Sequence, residues 1–190
     1  MQNVLLVDNY DSFTYNLVQI LTETGMCKVT VKLNDKVSME EASGYDRIVL
    51  SPGPGLPHEA GNIMPIIQHL GSWIPILGIC LGHQAIAEIY GAKLYTLDKI
   101  IHGEAYEVQY NHNDYELFKD VDNPFMAGRY HSWSVSPSHF PEDLLVTAID
   151  SENHIMALKH RKYPVRGVQF HPESIMTPQG YLMIQNWMRI

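Results

Sequence analysis

Four short apolar runs, Val4–Val7, Val29–Leu33, Ile48–Leu50 and Ile76–Gly78, alternate with stretches of helical period. Apart from Thr30 and Lys32 in the second run, they have no polar face to show to water. They predict strands covered on both sides, as in a parallel sheet with helices packed on its two faces. Between them, one helix is read at the segment carrying Tyr15, Leu17, Val18, Ile20 and Leu21, and others at Ser38–Ala42 and Asn62–Leu70. Asp8-Asn9 breaks the first strand, Asp11 or Ser12 is expected to cap the first helix, and Gly25 to end it. The first half therefore reads as doubly wound.

After Gly91 the runs are shorter: Lys93–Leu97, Glu107–Tyr110, Leu145–Ala148, Ile155–Lys159 and Arg166–Phe170. This spacing predicts antiparallel additions to the core sheet, closed by a terminal helix over Gln179–Met188. With no internal repeat, low-complexity segment or linker in 190 residues, the expected fold is α/β. It is one domain over residues 1–190, with a mainly parallel central sheet flanked by helices and antiparallel additions in the second half.

Open parallel sheets bind ligands outside the carboxyl ends of their strands, so the residues just after each apolar run carry the functional information. Three such places stand out. In Gly78-Ile79-Cys80-Leu81-Gly82, the cysteine falls between a strand and the helical pattern Gln84–Ile89. Small residues on both sides let the chain turn sharply there and hold the thiol exposed in a strained conformation. The helix start favours a thiolate and offers backbone N–H groups to a developing anion. The loop Ser51-Pro52-Gly53-Pro54-Gly55-Leu56-Pro57 combines restricted and permissive φ angles, which suits it to present a second oxyanion donor. In Gly167–Ser174, His171 and Glu173 project to the same side if strand geometry continues past Phe170, so the carboxylate can orient the imidazole. Cys80 as nucleophile, His171 as proton shuttle and Glu173 as orienter satisfy triad logic.

Other classes fit poorly. The 13 Lys and Arg against 21 Asp and Glu leave a net charge of −8 with no cationic cluster, which argues against a nucleic-acid surface. His83, His102, His131, His171 and Glu173 can be gathered on paper into a metal site, but without the spacing that metal sites use, so no metal is expected. Gly53-Pro54-Gly55 lacks the third glycine of a dinucleotide motif, and no P-loop lysine is present. Met1-Gln2-Asn3 runs directly into a strand, and no apolar stretch approaches the roughly 18 residues that span a bilayer. A cytoplasmic chain with reduced thiols is expected, with Cys27 a small packed side chain.

Together the elbow extended to His83-Gln84, the loop Ser51–Pro57, the opening Leu6–Asn16, Arg129-Tyr130-His131-Ser132 and Gly167–Ser174 resemble the class I (triad) glutamine amidotransferases, a flavodoxin-like fold. Within that family the chain is similar to the glutaminase components of anthranilate synthase and aminodeoxychorismate synthase. The resemblance implies that Cys80 attacks the glutamine carboxamide, with His171 and Glu173 completing the triad. Backbone N–H groups of Gly55 and Leu81 hold the oxyanion. Gly53, Pro54, Gly55 and Gln84, with the backbone of Ser132 and Trp133, bind the substrate. It further implies no cofactor in this chain, and a partner, the chorismate-using synthase subunit, which carries Mg²⁺ and receives ammonia. Tyr10-Asp11-Ser12 and His102-Gly103 would shape that interface. Glu104 and Trp133 depart from the lysine and leucine usual in the family. A thiol hydrolase or peptidase of similar fold, and a non-catalytic regulatory protein, are the competing readings.

Overall fold

The computed structural model describes residues 1–97 and 103–190; His102 of the sequence reading lies outside the described residues. The chain runs β1 (Gln2–Asp8), α1 (Thr14–Glu23), β2 (Cys27–Leu33), α2 (Met39–Ala42), β3 (Arg47–Leu50), α3 (Ile63–Leu70), β4 (Ile76–Ile79) and α4 (Leu81–Ile89). It continues through β5 (Leu94–Thr96), β6 (Glu104–Tyr110), β7 (Phe125–Arg129), β8 (Trp133–Val135), β9 (Leu144–Asp150), β10 (Ile155–His160), β11 (Val165–Val168) and α5 (Gly180–Arg189). Nine strands form one sheet in the order β2-β1-β3-β4-β11-β10-β9-β6-β7, and β5 pairs with β8 in a small separate ribbon.

Strands β2, β1, β3, β4 and β11 are parallel neighbours, and β10, β9, β6 and β7 continue the sheet antiparallel. The final strand departs from the sequence expectation. Its pairing with β4 is parallel, so it belongs to the core sheet rather than to the antiparallel additions. Strands β7 and β8 were not expected at all. Phe125-Met126-Ala127-Gly128-Arg129 carries no clean alternation, and three residues of β8 are too few to show one.

Alternation along β1 explains the layering. Val4 and Leu6 pack into one apolar cluster with Leu17, Leu21 and Trp187, whereas Leu5 and Val7 pack into another with Ile63, Ile66 and Ile86. Helices α1 and α5 therefore cover one face and α3 and α4 the other. Helix α1 starts later than expected. Asp11 accepts from the backbone N–H of Phe13 at 2.8 Å and Thr14 donates its hydroxyl to Asp8 at 2.7 Å, so the local turn delays the helix to Thr14. Its N-cap is Phe13, with no side-chain cap. At the other end Gly25, at φ +69°, follows the helix in the left-handed conformation that ends it. Among the described residues no helix is long and apolar enough to cross a membrane. Cys27 is buried, its thiol 3.4 Å from the carbonyl of Leu21, and burial pushes its pKa up.

Candidate active site

Parallel pairing of β4 with β11 builds the site. Ile79 lies opposite Val168, and the N–H of Cys80 donates to the Val168 carbonyl at 2.9 Å. Each chain leaves its strand at this point, Cys80 into α4 and residues 169–173 into a turn. Cys80 is the N-cap of α4 at φ +51° and ψ −99°, a conformation rare outside glycine. The flanking glycines make that bend possible. A Cβ on Gly78 would stand 2.4 Å from the backbone of Gly82, and one on Gly82 would stand 2.6 Å from the Leu50 carbonyl. The thiol is less exposed than expected. Cys80 is only 7% exposed and lies at the wall of a cavity, because the helix start and β11 close around it.

The strand does not carry on past Phe170, yet His171 and Glu173 still meet. The His171 N–H donates to the Gly128 carbonyl, a turn follows, and Glu173 accepts from His171 Nδ1 at 2.7 Å. That bond assigns the proton to Nδ1 and leaves Nε2 free for Cys80. Nε2 makes no complete hydrogen bond, so its contact with the thiol is looser than the Glu173 contact. Burial favours the neutral ring, but Cys80 and Glu173 outweigh it and raise the His171 pKa well above its ordinary value. The half-buried Asp11 lies within electrostatic reach of this pair, and its carboxyl is pushed up chiefly by burial.

A cavity of about 250 Å³ opens beside Cys80, lined by Gly53, Pro54, Gly55, Gln84, Ser132 and Trp133, and also by Tyr130 and His131. Every substrate-contacting residue expected from the sequence therefore faces one space. Gly55 takes φ +77°, which a side chain would strain. Leu81 turns its side chain into the core, and its N–H sits in the first turn of α4, where helices leave donors unpaired. Gln84 is already engaged. Its amide donates to the Trp133 carbonyl at 3.0 Å and to Gln169 Oε1 at 3.2 Å.

A buried polar chain fixes the far wall. Asp150 pairs with Arg129, whose guanidinium also stacks 4.1 Å from the Tyr106 ring. Arg129 Nε donates to His131 Nε2 at 3.3 Å, and His131 Nδ1 donates to the Trp133 carbonyl at 2.7 Å. The Trp133 carbonyl is thus gripped from two sides. The sequence reading quoted Arg129 and Tyr130 only as part of a motif and gave Gln169 no role; their positions follow from strand pairing across about 25 to 90 residues, which no local pattern displays. Among the described residues, the groups close enough to share a metal ion are Asp150, Glu152 and His154, and Asp150 there is already neutralised by Arg129.

His83 and His131 give the site region a pH signature. Burial pushes His83 down to about 4, and burial together with the Arg129 charge pushes His131 down to about 3. In the unfolded chain both titrate near the ordinary 6.5. The stabilisation from keeping them neutral is complete above that value and is lost as the pH falls toward the folded values. His171 shifts the other way and contributes its full share at all pH below 6.5, so it does not offset the loss. Stability measured by urea denaturation should fall by about 3 kcal/mol between pH 7 and pH 5. A midpoint that stays flat across this range would contradict the neutral, buried state of both rings.

Comparison with known proteins agrees with this geometry. The sequence profile of the family described as glutamine amidotransferase class-I matches residues 5–190. The "Aminodeoxychorismate/anthranilate synthase component 2" of Bacillus subtilis is 44% identical over 186 residues, covering 97% of this chain and 94% of that protein. The "Bifunctional protein TrpGD" of Thermotoga maritima is 42% identical over 193 residues; the match takes in 100% of this chain but only 32% of that longer protein. Among solved structures, a putative GMP synthase protein of Thermoplasma acidophilum superposes with a TM-score of 0.88 at 26% identity, over 100% of this chain and 93% of the other. A strained cysteine turn after the fourth strand, a paired histidine and glutamate after the last, and a profile match over nearly the whole length agree: this chain belongs to the class I glutamine amidotransferases.

Proposed function

We propose that this chain is the glutaminase subunit of anthranilate synthase, hydrolysing L-glutamine and passing the ammonia to a chorismate-using synthase subunit. The observation that carries the reading is the convergence of a strained cysteine, a carboxylate-paired imidazole and a cavity of about 250 Å³ at one strand end. His171 Nε2 takes the Cys80 proton, and the sulfur attacks the carboxamide carbon to give a tetrahedral oxyanion held by the N–H groups of Gly55 and Leu81. His171 returns the proton to the leaving nitrogen, and ammonia departs from a glutamyl thioester. The same imidazole then activates water, which releases glutamate and restores the thiol, while Glu173 keeps the ring in the required tautomer.

The cavity suits a single amino acid better than a peptide, which favours glutamine over the substrates of a thiol peptidase. Gly53, Pro54 and Gln84 with the Ser132-Trp133 backbone hold the amino-acid end of glutamine. This chain needs no cofactor for these steps, and Mg²⁺ belongs to the chorismate site of the partner. The partner's seat is the open groove of about 670 Å³ next to the site, where Phe13, Ile175 and Tyr181 stand exposed and Tyr130 borders both spaces. An exposed apolar patch beside the site is an association surface. Aminodeoxychorismate synthase is the second reading, because the Bacillus subtilis relative carries both names.

The test is to purify the chain with its native partner and supply chorismate, Mg²⁺ and glutamine labelled with ¹⁵N in the amide. Labelled anthranilate is the expected product. Labelled 4-aminobenzoate, formed after a lyase step, would move the complex to the second reading, and an unlabelled or absent amine would overturn the ammonia-donor role.

A further inference from the structure

Gln169 is fully buried, and its side chain touches two groups of the site. Its Nε2 points at Cys80 Sγ from 3.6 Å, and its Oε1 accepts from Gln84 Nε2 at 3.2 Å. The position is dictated by register. Ile79 pairs with Val168 on the parallel strands, so the next residues out, Cys80 and Gln169, emerge side by side where both strands end. Gly167, one position inward from Val168, leaves room for the His83 ring, which a Cβ would meet at 2.8 Å. Gln169 is held from behind as well, its N–H donating to the Met156 carbonyl at 2.8 Å. A buried primary amide has two donors and one acceptor oxygen to satisfy. Here one donor is spent on sulfur, although a neutral thiol is a weak acceptor. The arrangement makes full use of that donor only when the sulfur is charged.

We infer that Gln169 is a further catalytic residue of this site: its amide donates to the Cys80 sulfur and stabilises the thiolate, while Gln84 fixes the amide in that orientation. The inference rests on Cys80 being the nucleophile. When the thiol proton moves to His171 Nε2, the sulfur gains a negative charge and the Gln169 N–H remains bonded to it. No group besides these changes state. The same link couples the thiol to the cavity wall, since Gln84 bridges Gln169 and the Trp133 carbonyl.

The test reads the thiolate directly. Wild type, Gln169→Met and Gln169→Asn are alkylated with iodoacetamide from pH 5.5 to 9, and mass spectrometry follows the Cys80 and Cys27 peptides separately. Sulfur displaces iodide, so the rate tracks the thiolate fraction. Methionine keeps the volume without a donor, and asparagine keeps the amide but falls one methylene short. Both should show a Cys80 midpoint about one pH unit higher and, on the acid side of the wild-type midpoint, alkylate about tenfold more slowly, while buried Cys27 stays unlabelled and reports an intact fold. Cys80 profiles that superimpose on wild type in a variant with protected Cys27 would overturn the inference. Should both variants expose Cys27, the unaltered protein decides. The Gln169 side-chain amide resonances of ¹⁵N-labelled wild type must shift with the same midpoint as Cys80 alkylation, and resonances indifferent to it overturn the assignment. A wild-type Cys80 that alkylates like an ordinary thiol near pH 8.5 would instead remove the nucleophile reading itself.

Discussion

Replacing Cys80 with alanine lowers glutamine-dependent synthesis by at least about 10⁴-fold, because losing a covalent nucleophile leaves only binding and oxyanion stabilisation. Synthesis from added ammonium salts by the same complex stays within about twofold of wild type, since the partner's chemistry makes no use of the thiol. The split between the two nitrogen sources is the informative readout. Alanine tolerates the φ of +51° no better and no worse than cysteine does, so the backbone of the elbow keeps its course and the docking surface is untouched. The reading would fail if the variant kept more than a few per cent of its glutamine-dependent rate. It would fail equally if ammonia-dependent synthesis collapsed alongside, which would make Cys80 a structural residue.

The second large effect is on the fold. Gly78→Ala should lower stability by about 3 kcal/mol and the melting temperature by roughly 10 °C. Its added Cβ would lie 2.4 Å from backbone atoms of Gly82 and 2.7 Å from the His83 nitrogen, none of which can swing aside as a flexible side chain would. Relief requires α4 to lift away from β4, which also pulls Cys80 from Gln169 and from the loop Gly53–Gly55. Gly44→Ala is the matched control, because its Cβ meets only the Glu41 carbonyl at 3.4 Å, an ordinary contact. Thermal denaturation of the two variants side by side decides the matter. A Gly78→Ala protein that melts with wild type would mean that the elbow has slack the distances deny.

Much of this was legible because the strands of a two-sided sheet must be apolar throughout. Leu5 and Leu6 point to opposite helical layers, and both must avoid water, so Val4–Val7 announces itself without any alternation. Gly78 and Gly82 were legible for a similar reason: nothing larger fits where a helix begins on top of its own strand. The errors have physical causes too. Val165–Val168 looks like any short strand, and only its neighbours decide that β4 runs beside it in the same direction. The first helix begins at Thr14 because Asp8 and Asp11 spend their carboxylates on the preceding turn, a competition that capping preferences alone do not weigh. His171 and Glu173 were paired on the assumption of continuing strand geometry, whereas a turn brings them together. Gln169 escaped notice because an interior glutamine has no motif; its meaning lies in which residue the sheet places next to it.

Cys80 and residues 169–173 hang from the ends of β4 and β11, whose immediate neighbours, β3 and β10, carry the sheet on to either side. The Cys80 amide proton, bonded to the Val168 carbonyl, therefore exchanges with solvent only when the middle of the protein opens. Fraying of a loop or a helix end therefore leaves the elbow in place, and only an opening that reaches the centre of the sheet takes it apart.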